Sequence, residues 1–220
     1  MIQPDQIIRS ARKTLSVSID CFGRVTVRAP MRCATERIFS FLAEKESWIR
    51  KKQAEFAAAT VALPTDNLQD FPLPILGKTY MICLYEGRLI TMDRNENRLY
   101  VPTKNAKKRL VAWLKENAKR IFIEQTARQA ELMNVSYKSV TVSTAKSKWG
   151  SCSQDNALRY TFRLLYAPAE VVEYVIIHEL AHVKHKNHSP LFWAEVAKYA
   201  PDYKARRKWL KNHAALMEIF

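Results

Sequence analysis

The chain has 220 residues and a mass of 25.5 kDa, room for one domain of ordinary size or two small lobes with a sizeable core. Hydrophobic residues make up 48% and charged residues 26%, close to the globular average, which excludes a disordered, collagen-like or coiled-coil chain. Lys and Arg number 36 against 21 Asp and Glu, leaving a formal charge of +15 and a pI near 9.8; such a field attracts nucleic acid, nucleotides and acidic proteins.

The N-terminal stretch, residues 1–20, carries Asp5, Arg9, Arg12 and Lys13 and no apolar run fit for a signal peptide. The cysteines at 21, 33, 83 and 152 form no C-x-x-C pair and read as scattered thiols. The longest clean apolar stretch, residues 56–63, falls far short of a membrane span. The expectation is a cytoplasmic protein that does not use a membrane; the oligomeric state is not legible.

Leu15, Val17 and Ile19 alternate with polar residues, and Val25, Val27 and Ala29 do so again after Cys21-Phe22-Gly23-Arg24, predicting a β-hairpin. Residues 35–52 switch to helical spacing, with Ile38, Phe41, Leu42, Trp48 and Ile49 on one side. Pro64, Pro72 and Pro74 mark residues 54–75 as a loop or linker, and two or three strands follow between Lys78 and Val101. Residues 105–134 predict a long helix whose first half carries Lys107, Lys108, Arg109, Lys115, Lys119 and Arg120, an anion-binding face or a solvated one. Val140 and Val142 mark a strand, and the alternation from Leu158 to Tyr166 a longer one, with Arg159 and Arg163 on one face. Pro168 opens a helix that is apolar almost all round, hence buried.

Set into that helix is His178-Glu179-Leu180-Ala181-His182. The i, i+4 spacing puts both imidazoles on one face, one turn apart, where they can reach one ion. Glu179 lies about 100° further round the helix, placed to take a proton from a water beside that ion. Chance expectation for the pattern is under about one in a hundred, and four of the five histidines fall within residues 178–188. A third ligand must be chosen among His185, His188 and Glu195. On a continuous helix His185 lies about 10 Å from His178 along the axis, too far to share an ion. His188 escapes if the helix stops first, with Asn187 as a left-handed cap and Ser189-Pro190 starting a new helix. Zinc prefers such nitrogen ligands and leaves one position open in catalytic sites. Trp149-Gly150-Ser151-Cys152 reads as a structural or cleft-lining turn, with Gly150 allowing an unusual backbone angle.

Trp149-Gly150-Ser151-Cys152, then Asn156, Arg159 and Arg163, then the HExxH run and Asn187-His188-Ser189 with Phe192-Trp193, resemble the YgjP-like metal-dependent hydrolases. These are zincin-like proteins related to SprT-type metallopeptidases. Residues 27–30 and 44–52 extend the resemblance over most of the chain. It implies His178, His182 and His188 as metal ligands and Glu179 as the catalytic carboxylate. It also implies either a metallopeptidase or a nucleoside triphosphate pyrophosphohydrolase of UTP type, since some members are linked to nucleoside triphosphate hydrolysis.

The resulting expectation is an α+β chain, with a β-rich N-terminal lobe at residues 1–103 and a zincin-like catalytic lobe at residues 104–220. One Zn2+ ion sits on His178, His182 and His188, with Glu179 as general base. Arg159 and Arg163 are candidate substrate ligands, joined by Lys148 if the substrate carries phosphates. A basic nucleic-acid-associated protein with structural zinc is the alternative of another class.

Overall fold

The computed structural model describes residues 2–58 and 63–220; residues 59–62, inside the stretch read as a loop, lie outside the described residues. The fold is α+β, with two compact units: Met1–Val61 with Asn212–Ala215, and Ala62–Lys211 with Leu216–Phe220.

In the first unit the alternating segments form the expected hairpin, β2 (Ser16–Ile19) antiparallel to β3 (Val25–Pro30). Strand β1 (Gln6–Ser10) adds parallel to the other side of β3. Val25, Val27 and Ala29 are therefore central, and they cluster with Ile38, Leu42 and Ile49 in a dry core. The helical stretch is two helices, α1 (Thr35–Glu44) and α2 (Glu46–Ala58), broken at Lys45. The break rephases the apolar stripe, so Ile49 is buried while Trp48 faces solvent. Helix α2 also carries regular structure past residue 54, where a loop was expected.

The second unit begins with β4 (Pro72–Ile75), β5 (Lys78–Tyr85), β6 (Thr91–Asp93) and β7 (Arg98–Pro102), in the order β4-β5-β7-β6. Helix α3 (Ala106–Met133) runs between two left-handed asparagines, Asn105 and Asn134. Leu110, Leu114, Ala118 and Phe122, spaced by four, form its buried stripe. This helix packs on β7, so α3 and the β4–β7 sheet share one compact unit.

A second sheet holds β8 (Ser139–Ser143), β9 (Gly150–Cys152) and β10 (Ala157–Thr161). Its centre is β10, parallel to β8 and antiparallel to β9, which leaves β9 at an edge. Tyr160 on β10 meets Phe122 edge-on at 5.5 Å and accepts a hydrogen bond from the Thr126 hydroxyl at 3.4 Å, locking the sheet to α3. The strand expected to reach Tyr166 stops at Thr161. Phe162–Tyr166 instead coil into a 3₁₀ turn with all five residues buried, which steers the chain into α4 (Ala169–Lys184). Helices α5 (Pro190–Tyr199) and α6 (Tyr203–Asn212) follow. Helix α4 lies against both α3 and β9. No described helix is long and apolar enough to cross a membrane.

Candidate metal centre

Val171, Val172, Val175, Ile176, Ile177 and Leu180 bury α4, and the helix ends where the site needs it to. His185 adopts an extended backbone (φ −131°, ψ 102°) and caps the C-terminus. Four residues later Ser189 caps α5, its hydroxyl accepting the Phe192 N–H at 3.4 Å, with Pro190 in the first position. The turn differs from expectation in one residue. Asn187 is not left-handed; its side-chain oxygen accepts the Ser189 N–H at 3.2 Å. The short connection brings His188 back towards α4.

His178, His182 and His188 converge. Their ring centroids stand 4.7–5.1 Å apart pairwise, and one ring nitrogen from each lies within 4.8 Å of the others. The His178 and His188 Nε2 atoms face each other at 3.1 Å. Two nitrogens held at the usual ~2.0–2.1 Å from one tetrahedral ion stand about 3.3–3.4 Å apart, so this pair is within a few tenths of an ångström of the separation an ion needs. His182 is preset for this role. Its Nδ1–H donates to the His185 carbonyl at 2.9 Å, leaving Nε2 with a free lone pair. Burial, then the neighbouring imidazoles, hold the His178 basicity down to about 3, and burial also lowers His182. The His178 Nδ1 atom is buried with no hydrogen-bond partner among the described residues. Neutral imidazoles crowded nitrogen to nitrogen suit a borderline-soft cation such as zinc.

The cluster has an aromatic housing. Phe192, fully buried, stacks on His182 (4.4 Å, 29°). Trp193 stacks on His188 (5.5 Å, 27°), and Tyr203 of α6 stacks in turn on Trp193 (5.2 Å, 17°). The Arg207 guanidinium lies over the Trp193 ring at 5.0 Å, and Tyr174 meets His178 edge-on at 5.9 Å. Sequence reasoning missed Tyr174, Tyr203 and Arg207. The signal available for the last two was their i, i+4 spacing, which places ring and cation on one face of α6.

Glu179 is 6% exposed, and burial lifts its carboxyl to about 8, against a smaller opposing pull from Lys148. Its side chain lies against Gly150. A Cβ built there would stand 2.7 Å from Oε1 and 2.8 Å from Cγ of Glu179. Gly150 has no left-handed backbone, so the reason for glycine is this close approach and not an unusual angle. Around it, Lys186 donates from Nζ to the Ser153 carbonyl (3.1 Å) and to the Asn156 side chain, tying the β9–β10 turn to the segment after α4. Burial pushes the Cys152 thiol up, the opposite of an activated nucleophile.

The other candidates separate. Arg163 is 3% exposed, and its guanidinium donates to the Thr144 (2.7 Å), Ile219 (3.2 Å) and Phe220 carbonyls. It is a structural strut with no donor turned to a substrate, because the 3₁₀ turn points it inward. Arg159 is exposed on β10, its Nε near the Thr141 hydroxyl at 3.4 Å. Glu195 is 5% exposed and bonded to Lys184 (2.7 Å) and Lys198 (2.8 Å), so its oxygens are committed. His185 lends the site only its backbone.

None of the curated proteins matches this chain. The crystal structure of the metallopeptidase zymogen of Pyrococcus abyssi abylysin is similar over 40% of this chain and 90% of that one, at 23% identity and a TM-score of 0.38. The family described as "YgjP-like, metallopeptidase domain" matches residues 13–213, nearly the whole length. The chain belongs to the YgjP-like family of metallopeptidase domains.

Proposed function

We propose that this protein is a zinc-dependent peptidase, with His178, His182 and His188 as the ligands and Glu179 as general base. The observation that carries the reading is the convergence of three imidazoles, two of them on the helix that also carries the buried Glu179 carboxylate. Structural zinc has no use for that carboxylate and favours closed, cysteine-rich sites.

Zinc, when bound, supplies Lewis acidity that polarises a carbonyl and acidifies water. The chain supplies the rest. Glu179 takes the proton of the attacking water on a carboxylate oxygen and passes it to the leaving amine, the shuttle role of a general acid–base carboxylate. Gly150 lets that carboxylate lie against β9. The His185 carbonyl orients His182, while Phe192 and Trp193 wall the histidines. Strand β9 is a sheet edge beside α4, so an extended peptide can hydrogen-bond along it. Its neighbour β10 is already paired on both sides.

The nucleoside triphosphate alternative loses Arg163 as a phosphate ligand, since its guanidinium is buried on backbone carbonyls. The deciding experiment incubates zinc-loaded protein with unfolded polypeptides and, separately, with nucleoside triphosphates, each beside Glu179→Gln. Peptide cleavage that vanishes in Glu179→Gln supports the reading. Pyrophosphate release without peptide cleavage overturns it.

A further inference from the structure

A cavity of about 420 Å³ lies in the second unit between the β4-β5-β7-β6 sheet and α3. None of its lining residues belongs to the histidine cluster. Its volume falls within the usual range for small-molecule sites, roughly 300–1,000 Å³, and its lining has two parts. Trp113, Met92 and Leu76 contribute to an apolar wall, and Lys78, Arg94 and Arg120 supply three cations with no carboxylate among the lining residues. All three cations are exposed. None enters an ion pair among the described residues, although 21 acidic residues are available in the chain. Among the described residues the Arg120 guanidinium makes one bond, from Nη2 to the Asn117 side-chain oxygen at 3.2 Å.

The backbone gives an independent indication. Leu76 and Gly77 form the two-residue turn between the paired Ile75 and Lys78, both with positive φ (51° and 83°). That turn type strongly favours Asn-Gly, because a left-handed leucine is strained by its own Cβ. Leu76 is held in this conformation by its N–H, which donates to the Leu165 carbonyl at 2.8 Å, and it is one of the residues lining the cavity. Strain kept where a relaxed residue would serve the hairpin better points to use of the side chain.

We propose that this cavity is a binding site for a small organic anion, an aromatic ring bearing a phosphate. The ring lies on the apolar wall beside Trp113, and the phosphate is shared by Arg94, Arg120 and Lys78. Two arginines favour phosphate, because guanidinium groups meet its oxygens in bidentate pairs.

Phenyl phosphate is the probe, titrated by calorimetry into the full chain, with phenol and inorganic phosphate as the separate halves. The titration is repeated on His188→Ala, which distinguishes this cavity from the histidine cluster. Saturable binding tighter than either half is expected, equal in both proteins, and weakened about tenfold or more by Arg94→Gln with Arg120→Gln. Leu76→Asn should raise the melting temperature while weakening phenyl phosphate binding, the paired signature of strain retained for a ligand. Binding that survives the double arginine change, disappears in His188→Ala, or fails to saturate at millimolar probe overturns the proposal.

Discussion

The His188 imidazole lies nearly flat on the Trp193 indole, 5.5 Å between centroids and 27° between planes. This contact answers a problem in the design of the cluster. His178 and His182 are fixed by the backbone of a buried helix, but His188 sits in an exposed turn and needs an external support. Trp193 is that support, and it is itself sandwiched by Tyr203 and covered by Arg207.

Trp193→Ala should therefore weaken zinc binding roughly 10–100-fold, as loss of groups that orient metal ligands does. Trp193→Phe should keep most of the affinity. Chelator competition measures both, and circular dichroism of the metal-free proteins checks that the fold is unchanged. Wild-type affinity in Trp193→Ala would mean that the turn is held by something other than the stack.

His185 and His188 should behave oppositely. The first contributes a carbonyl, which any residue supplies, and the second a ring nitrogen. Metal analysis should find His185→Ala close to wild type in zinc content and His188→Ala depleted. Equal zinc in wild type and His188→Ala would remove His188 from the ligand set.

How much of this was legible depended on the range of the interactions. The hairpin and the buried helix show directly in the period of Val25, Val27 and Ala29 and in the apolar run around His178, because burial on one face or all faces writes itself locally. The end of α4 was legible as an event but not in detail, since an extended His185 and a left-handed Asn187 stop a helix equally well. Arg163 was misread because Tyr160, Phe162 and Leu164 alternate with it as in a strand. What reverses that reading is a bond to carbonyls at residues 219 and 220, more than 50 positions away. The i, i+4 spacing of Tyr203 and Arg207 puts them on one helix face, but their role exists only once α6 lies beside Trp193.

Gly150→Ala tests the contact with Glu179, the proposed general base. The atoms a new Cβ would meet belong to the flexible side chain of Glu179, so the carboxylate can move aside and the fold should lose little stability. Moving it is the damage. A displacement of about 1 Å at a reacting group can cost about 10²-fold in rate. The expected result is unchanged zinc content, a melting temperature near wild type and strongly reduced turnover. Full activity in Gly150→Ala would show that the position of Glu179 is not critical.

Glu179→Gln should separate binding, chemistry and stability in one variant. Zinc should be retained, because the ligands are untouched, while turnover falls by about 10²–10⁴-fold, the usual contribution of a general acid–base group. Stability of the metal-free protein should respond to pH with a definite sign. The Glu179 carboxyl titrates near 4.5 when unfolded and is raised to about 8 by burial when folded. Below pH 4.5 both states hold the proton and nothing is lost. Between 4.5 and 8 the unfolded chain releases a proton that the folded chain keeps, so stability falls as pH rises. At about 1.4 kcal/mol per unit, the total reaches roughly 3–5 kcal/mol. Above pH 8 the loss is complete and the curve flattens. His178, with its basicity held down to about 3, adds a slope of opposite sign on the acid side in both proteins. The difference between wild type and Glu179→Gln isolates the carboxyl. Urea denaturation of the two metal-free proteins at pH 5 and pH 8 should show Glu179→Gln gaining relative to wild type at the higher pH. An identical difference at both values would mean that Glu179 is ionised in the folded protein throughout, and that a buried proton carrier does not await the metal.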